Sequence, residues 1–232
     1  MNFDFDIKLS KSELNKGLIL PKLMSKELAE IIGIHFGDGY LQIKPQRYYR
    51  IYHSFNMRDR EYTTHVKNLF YYIFNVNMSI EERINRNTLS LYLHSKGLCT
   101  FFSKVLKIPA GPKKVLSIPY YIKSNKEFLK CFLRGLFDTD GCIVTQIMVK
   151  YQYKLIKICT KLDTFAEEIK AALKSLQIEA YISHKKTGYD VTVRKKDSFN
   201  RFIELIEPKN NKGKVGTQGF EVQCHKNHLW HP

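Results

Sequence analysis

Two aspartates about 100 positions apart, Asp38 and Asp140, close two short apolar segments of the same design. The first reads Ile31-Ile32-Gly33-Ile34-His35-Phe36-Gly37-Asp38-Gly39, the second Leu133-Arg134-Gly135-Leu136-Phe137-Asp138-Thr139-Asp140-Gly141. Asp-Gly is a common turn signal, and one copy alone would mean little. A carboxylate at a helix C-terminus opposes the helix dipole, however, so stability does not explain the choice, still less its repetition. Paired carboxylates suit a hard divalent cation such as Mg²⁺, with Mn²⁺ as the alternative. A cation so held can activate water and stabilise a leaving oxygen in phosphodiester cleavage.

The elements that must position the pair can be read on either side of it. Leu28–Gly37 and Phe128–Thr139 are apolar nearly all round, as in helices buried on most faces. Gly33 with Gly37, and Gly135 with the small Thr139, would let two such backbones approach closely. Gly39 and Gly141 are expected as left-handed C-caps. Each acid is followed by a strand, a Tyr-rich strand, and a helix (62–74, then 165–176) with Asp59 and Asp163 as expected N-caps. Leu89, Leu91 and Leu93, then Val191 and Val193, alternate with polar residues in a second hairpin. Each half ends in a helix and a basic loop: Gly111-Pro112-Lys113-Lys114, and 208–214 with Lys209 and Lys212. The order is αββαββα twice, with residues 1–122 as one half plus a leader and 123–232 as the other plus a basic tail. The expected fold class is α+β, a pseudo-two-fold pair of halves meeting at the motif helices.

The chain has 232 residues and a formal charge of +16 from 38 Lys and Arg against 22 Asp and Glu. Such a field draws polyanions. Apolar residues make up 44%, enough for a packed core, and no run is long enough to span a bilayer. The acidic N-terminus has no signal-peptide form, and five scattered cysteines imply reduced thiols, so an intracellular protein is expected. Alternation puts Arg47 and Tyr49, then Lys150, Gln152 and Lys154, with Lys185, Thr192 and Arg194, on a face that reads major-groove base edges. The helical setting of Tyr71 and Tyr72 marks them as core. Cys224, His225, His228 and His231 lack the matched second pair of a zinc site. His35 is expected to be a packed or interface histidine.

Both motifs resemble the signature of LAGLIDADG homing endonucleases, the second nearly throughout and the first more loosely. The likeness runs from about Leu28 to about Lys214. It implies saddle-shaped antiparallel sheets over duplex DNA, and metal-dependent cleavage of both strands leaving short 3′ overhangs. By resemblance, Asp38 and Asp140 bind metal with the carbonyls of Gly37 and Thr139. Lys113, Lys161 and Lys209 complete the catalytic centre, and Arg58 falls in the variable polar position after the second strand. Asp138 has a structural or capping role. Two motifs in one chain imply a monomer with a non-palindromic target, and the chain resembles a free-standing, intron-encoded member of the family, with an excised intein segment as the alternative. A non-cutting DNA binder, or a maturase acting on its own intron RNA, is the alternative on the same scaffold.

Overall fold

A computed structural model describes residues 1–44, 47–148, 151–210 and 213–216. After a leader with a short helix α1 (Lys11–Asn15), the first half runs α2 (Lys26–Asp38), β1 (Gly39–Lys44), β2 (Tyr48–Asn56), α3 (Arg60–Phe74), β3 (Ser79–Arg83), β4 (Thr88–His94) and α4 (Lys96–Thr100). After α5 (Tyr120–Lys123), the second runs α6 (Lys126–Asp140), β5 (Gly141–Met148), β6 (Tyr151–Thr160), α7 (Asp163–Ser175), β7 (Tyr181–Lys185), β8 (Gly188–Val193) and α8 (Lys196–Ile206). Both halves are αββαββα. A short β9 (Gly213–Gly216) follows.

The sheets have equivalent orders, β1-β2-β4-β3 and β7-β8-β6-β5-β9. β9 joins the outer edge of β5 in parallel, where a basic tail was expected. The remaining pairs are antiparallel, and their registers coincide: Gly39 faces His53 as Gly141 faces Ile158. One face of each sheet carries Leu41, Ile51, Phe55, Leu91 and Leu93, or Ile156, Ile158, Val191 and Val193, in one continuous core with the helices. Among the described residues no helix residue joins the one apolar cluster of the opposite, open face, although Cys142, Val144, Leu155 and Thr192 are buried there.

α2 and α6 start from matched caps. Ser25 Oγ accepts from Leu28 N at 3.1 Å, and Asn125 Oδ1 from Glu127 N and Phe128 N at 2.9 and 3.2 Å. The two helices then pack backbone to backbone. A Cβ at Gly33 would strike the Phe132 carbonyl, and one at Gly135 the Glu30 carbonyl. Below this crossing, Arg134 Nη1 meets buried Glu30 at 3.1 Å, and Glu30 also takes His65 Nε2 at 2.8 Å.

Three local expectations are corrected. Gly39 and Gly141 are extended (φ −86° and −99°), not left-handed. Each is glycine because a Cβ would strike the ring of His35 or of Phe137 in the preceding turn. Asp59 is the N-cap of α3 as expected, though without a side-chain bond, whereas Asp163 is already inside α7, after Leu162. Tyr71 and Tyr72 are 51% and 73% exposed, because α3 turns Tyr62, Val66, Phe70 and Phe74 inward instead.

Candidate functional site

Asp38 and Asp140 are the last residues of α2 and α6, two helices whose C-terminal ends touch. Gly37 and Thr139 precede them, and a Cβ on Gly37 would collide with the Thr139 hydroxyl. Thr139 Oγ1 turns back to donate to the carbonyls of Gly135 and Leu136, both at 2.9 Å, which keeps its bulk against its own helix. Asp38 and Asp140 are part-exposed, whereas Asp138 is fully buried.

Lys113 reaches this centre. Its Nζ donates to the carbonyl oxygens of Phe36 and Gly37 at 2.9 and 2.7 Å, the negative end of α2. The loop bearing it is tied to β1 through Gly111 N, which donates to Leu41 O at 2.8 Å. Lys209 arrives differently. Its main-chain N donates to both carboxylate oxygens of Asp138 at 3.1 and 3.0 Å, and Asn210 N donates to Asp138 Oδ1 at 3.1 Å. Asn210 Nδ2 closes the arrangement on the Asp138 carbonyl at 3.0 Å. The Lys209 side chain is exposed, as are those of Lys161 and Arg58 just beyond β6 and β2. Asn56 Oδ1, at the end of β2, accepts from Arg58 N at 3.1 Å.

Behind the acids lie groups that burial keeps neutral. His35 Nδ1 and His53 Nε2 are 3.2 Å apart, both inside the first half. Burial, and then the Lys113 charge, lowers His53 to about 3. Burial, His53 and Lys113 push His35 well below its ordinary value. His35 is therefore packed against its own sheet. Burial, and then the charges of Asp138, Glu30 and Asp38, hold the Tyr62 phenol well above its ordinary value.

The open sheet faces were only partly legible. Arg47, in the β1–β2 turn, is exposed, but Tyr49 packs against the core and lies on the helix side. Lys154 has the same strand parity as Ile156 and Ile158, so it too belongs to the helix side, where it is exposed at the strand end. Lys150 lies outside the described residues, and so does the side chain of Gln152. Lys185 and Thr192 are on the open face, with Thr192 buried there, and Arg194 is exposed just past β8.

The open-face residues missed in the first half are Tyr40, Arg50, Tyr52, Tyr92 and Glu81. The Arg50 guanidinium lies over the rings of Tyr52 and Tyr92, 5.0 and 4.6 Å from their centroids. In the second half Lys157 was missed. The burial alternation fixes these parities, but from sequence the Tyr-rich strands read equally well in either phase. The second open face also carries a small apolar cluster of Cys142, Val144 and Leu155.

Comparison with known proteins agrees with this geometry. Residues 127–207 match the family model of the LAGLIDADG-like domain. Among solved structures, the homing endonuclease I-WcaI bound to its DNA recognition sequence superposes with a TM-score of 0.60 at 16% identity, over 87% of this chain and 89% of that one. I-DmoI in complex with DNA and Mn gives 0.57 at 19% identity, over 78% and 96%. The chain thus has the two-half fold of the LAGLIDADG homing endonucleases, and its residues 127–207 are a LAGLIDADG-like domain. An uncharacterized protein of Methanocaldococcus jannaschii is 29% identical over 193 residues, 81% of this chain. The chain spans 62% of that relative's length. No helix among the described residues is long and apolar enough to cross a membrane.

Proposed function

We propose that this protein is a site-specific endonuclease that cuts both strands of duplex DNA with a divalent cation, Mg²⁺ or Mn²⁺. The observation that carries the reading is the close approach of Gly37 and Thr139, the residues just before Asp38 and Asp140, where the ends of α2 and α6 touch. The donor set fits such a cation. It consists of hard oxygens, two carboxylates and the carbonyls of Gly37 and Thr139, at the negative ends of two helices. A cationic group is already drawn there, since Lys113 sits on the Gly37 carbonyl. The bound cation would activate water and stabilise the leaving oxygen.

The chain's own residues supply the rest. The open faces receive the duplex, and the charge of +16 gives salt-dependent attraction to its phosphates. Lys113 presents a point charge for a phosphate oxygen at the first acid. Lys161 and Lys209, exposed at the rim, add the same on the second side. Arg58 extends this contact next to the first half. As a two-half chain it acts as a monomer inside the cell, on a non-palindromic site, leaving short 3′ overhangs.

The test is incubation with a plasmid library of genomic inserts, with Mg²⁺ or with EDTA, beside the double variant Asp38→Asn/Asp140→Asn. Linearisation of one class of insert, abolished by EDTA and by the substitutions, is expected. Tight binding without linearisation would replace the endonuclease reading by a non-cutting DNA binder. Selective binding of a structured intron RNA over duplex DNA would replace it by a maturase.

A further inference from the structure

Glu30 and Arg134 form an ion pair across the seam between the halves, and each is braced by its own half. Arg134 Nη1 donates to Glu30 Oε2 at 3.1 Å. On the first side, His65 Nε2 of α3 meets Glu30 Oε1 at 2.8 Å. On the second, Arg134 Nε donates to the carbonyl of Ile206, at the end of α8, at 2.8 Å, and the Glu207 carboxylate lies 3.6 Å from Nη2. Each nitrogen of the guanidinium fork thus has its own partner, which fixes its plane. One line of contacts therefore runs through α3, α2, α6 and α8. Glu30 is only 4% exposed, although a cavity of about 330 Å³ opens beside the pair, lined by the N-terminal ends of α2 and α6. Another pair crossing there, Lys26 with Glu127 at 2.9 Å, is exposed and adds little.

Counted back from the two acids, the equivalent positions on the other side of the seam carry Phe132 and Ile32, both fully buried. Apolar residues serve there, and a buried ion pair seldom adds net stability over them. What it adds is register. The contacts at Gly33 and Gly135 form a close crossing about which the two helices could turn. Eight residues separate Glu30 from Asp38. They span about 12 Å of helix, so a turn of about 10° at the crossing would move the acid by about 2 Å. A shared cation does not tolerate that, because its oxygens must lie at about 2.1 Å. We infer that Glu30 and Arg134 are positioning residues, which set the angle between α2 and α6 and through it the spacing of Asp38 and Asp140. This rests on the reading of the two acids as one cation site.

The test is titration of Mn²⁺ into the full chain, read by electron paramagnetic resonance well below the melting temperature. It compares wild type, Glu30→Leu/Arg134→Met and Glu30→Gln, with thermal melts alongside. The double variant exchanges the pair for apolar groups and should melt within about 5 °C of wild type. It should nevertheless bind Mn²⁺ about ten-fold more weakly. Glu30→Gln keeps the shape without the charge and should weaken binding in the same direction, which decides the matter if the double variant does not fold. On a duplex that the wild type cuts, kcat should fall at unchanged KM, because the sheet faces are untouched. Unchanged Mn²⁺ affinity in folded variants would overturn the inference while leaving the cation site in place. Weakening seen only where the melt also collapses would make the pair merely structural, and overturn it as well. A wild type that binds no Mn²⁺ would overturn the cation reading itself, and the inference with it.

Discussion

The ends of α2 and α6 are the same piece of structure built with opposite chemistry. Two positions before the acid, the first half has Phe36 and the second has Asp138. Phe36 crosses the interface, with its ring 5.3 Å from Phe132 and 5.8 Å from Phe165. Asp138 instead turns to its own half and holds the 209–210 backbone. The basic loops are consequently anchored in different ways. In the first half a lysine side chain satisfies the helix-end carbonyls and so is fixed at the centre. In the second, a buried carboxylate takes the main-chain amides and leaves the lysine side chain exposed. Equivalent positions in a duplicated fold can thus reach one geometry while one lysine side chain is bound at the helix end and the other is exposed.

The comparison can be broken most easily at Asp138. Asp138→Ala leaves the main-chain amides of Lys209 and Asn210 to find new acceptors, while the Asn210 side chain keeps its bond to the main-chain carbonyl of residue 138. It should cost about 3 kcal/mol in a denaturant titration. A loss under about 1 kcal/mol would show that the loop is held elsewhere.

A second difference is the buried histidine pair, which the other half replaces by Phe137 and Ile158. Because the folded pKa of His53 lies near 3, below its unfolded value of about 6.5, the unfolded chain binds the extra proton between these values. Stability is then full above about pH 6.5 and falls as pH drops, by about 3 kcal/mol at pH 4 from this group alone. Hydrogen exchange at pH 4 should show the first half opening before the second, and His53→Ile should reduce the difference. Equal opening of the halves would contradict the asymmetry.

The smallest effect concerns the two lysines. Lys113→Ala should lower stability by about 1 kcal/mol, as loss of charge-assisted bonds at a helix end. Lys209→Ala should change it by less than about 0.5 kcal/mol, since only its backbone is used. Thermal melts of both variants give the order directly.

Much of this was legible in the chain. The repeat, the motif helices and the alternation of Leu89–Leu93 and Val191–Val193 fix the architecture, because burial imposes their periods. Gly33 and Gly135 announced the helix contact. The sequence was silent where tertiary context decides. Tyr49 and Lys154 sit in strands with polar or aromatic residues on both faces, so their phase depended on register. The pairing of Arg50 with Glu81, and of Lys157 with Asp190, appears only when strands distant in sequence are brought together. Asp59 takes the expected N-cap position without a side-chain bond and Asp163 misses it by one residue; the turn before each helix is held further upstream, by Asn56 Oδ1 and by Thr160 Oγ1, which accepts from Leu162 N at 3.3 Å.

The central claim is that Asp38 and Asp140 form one cation site while Asp138 is scaffold. It is tested most directly by titrating Mn²⁺ into wild type, Asp38→Asn, Asp140→Asn and Asp138→Asn, with binding read by electron paramagnetic resonance. Either outer substitution should weaken Mn²⁺ binding about ten-fold or more, and Asp138→Asn should leave it within about two-fold once folding is verified. Loss of binding in Asp138→Asn, with Asp38→Asn unchanged, would contradict the account.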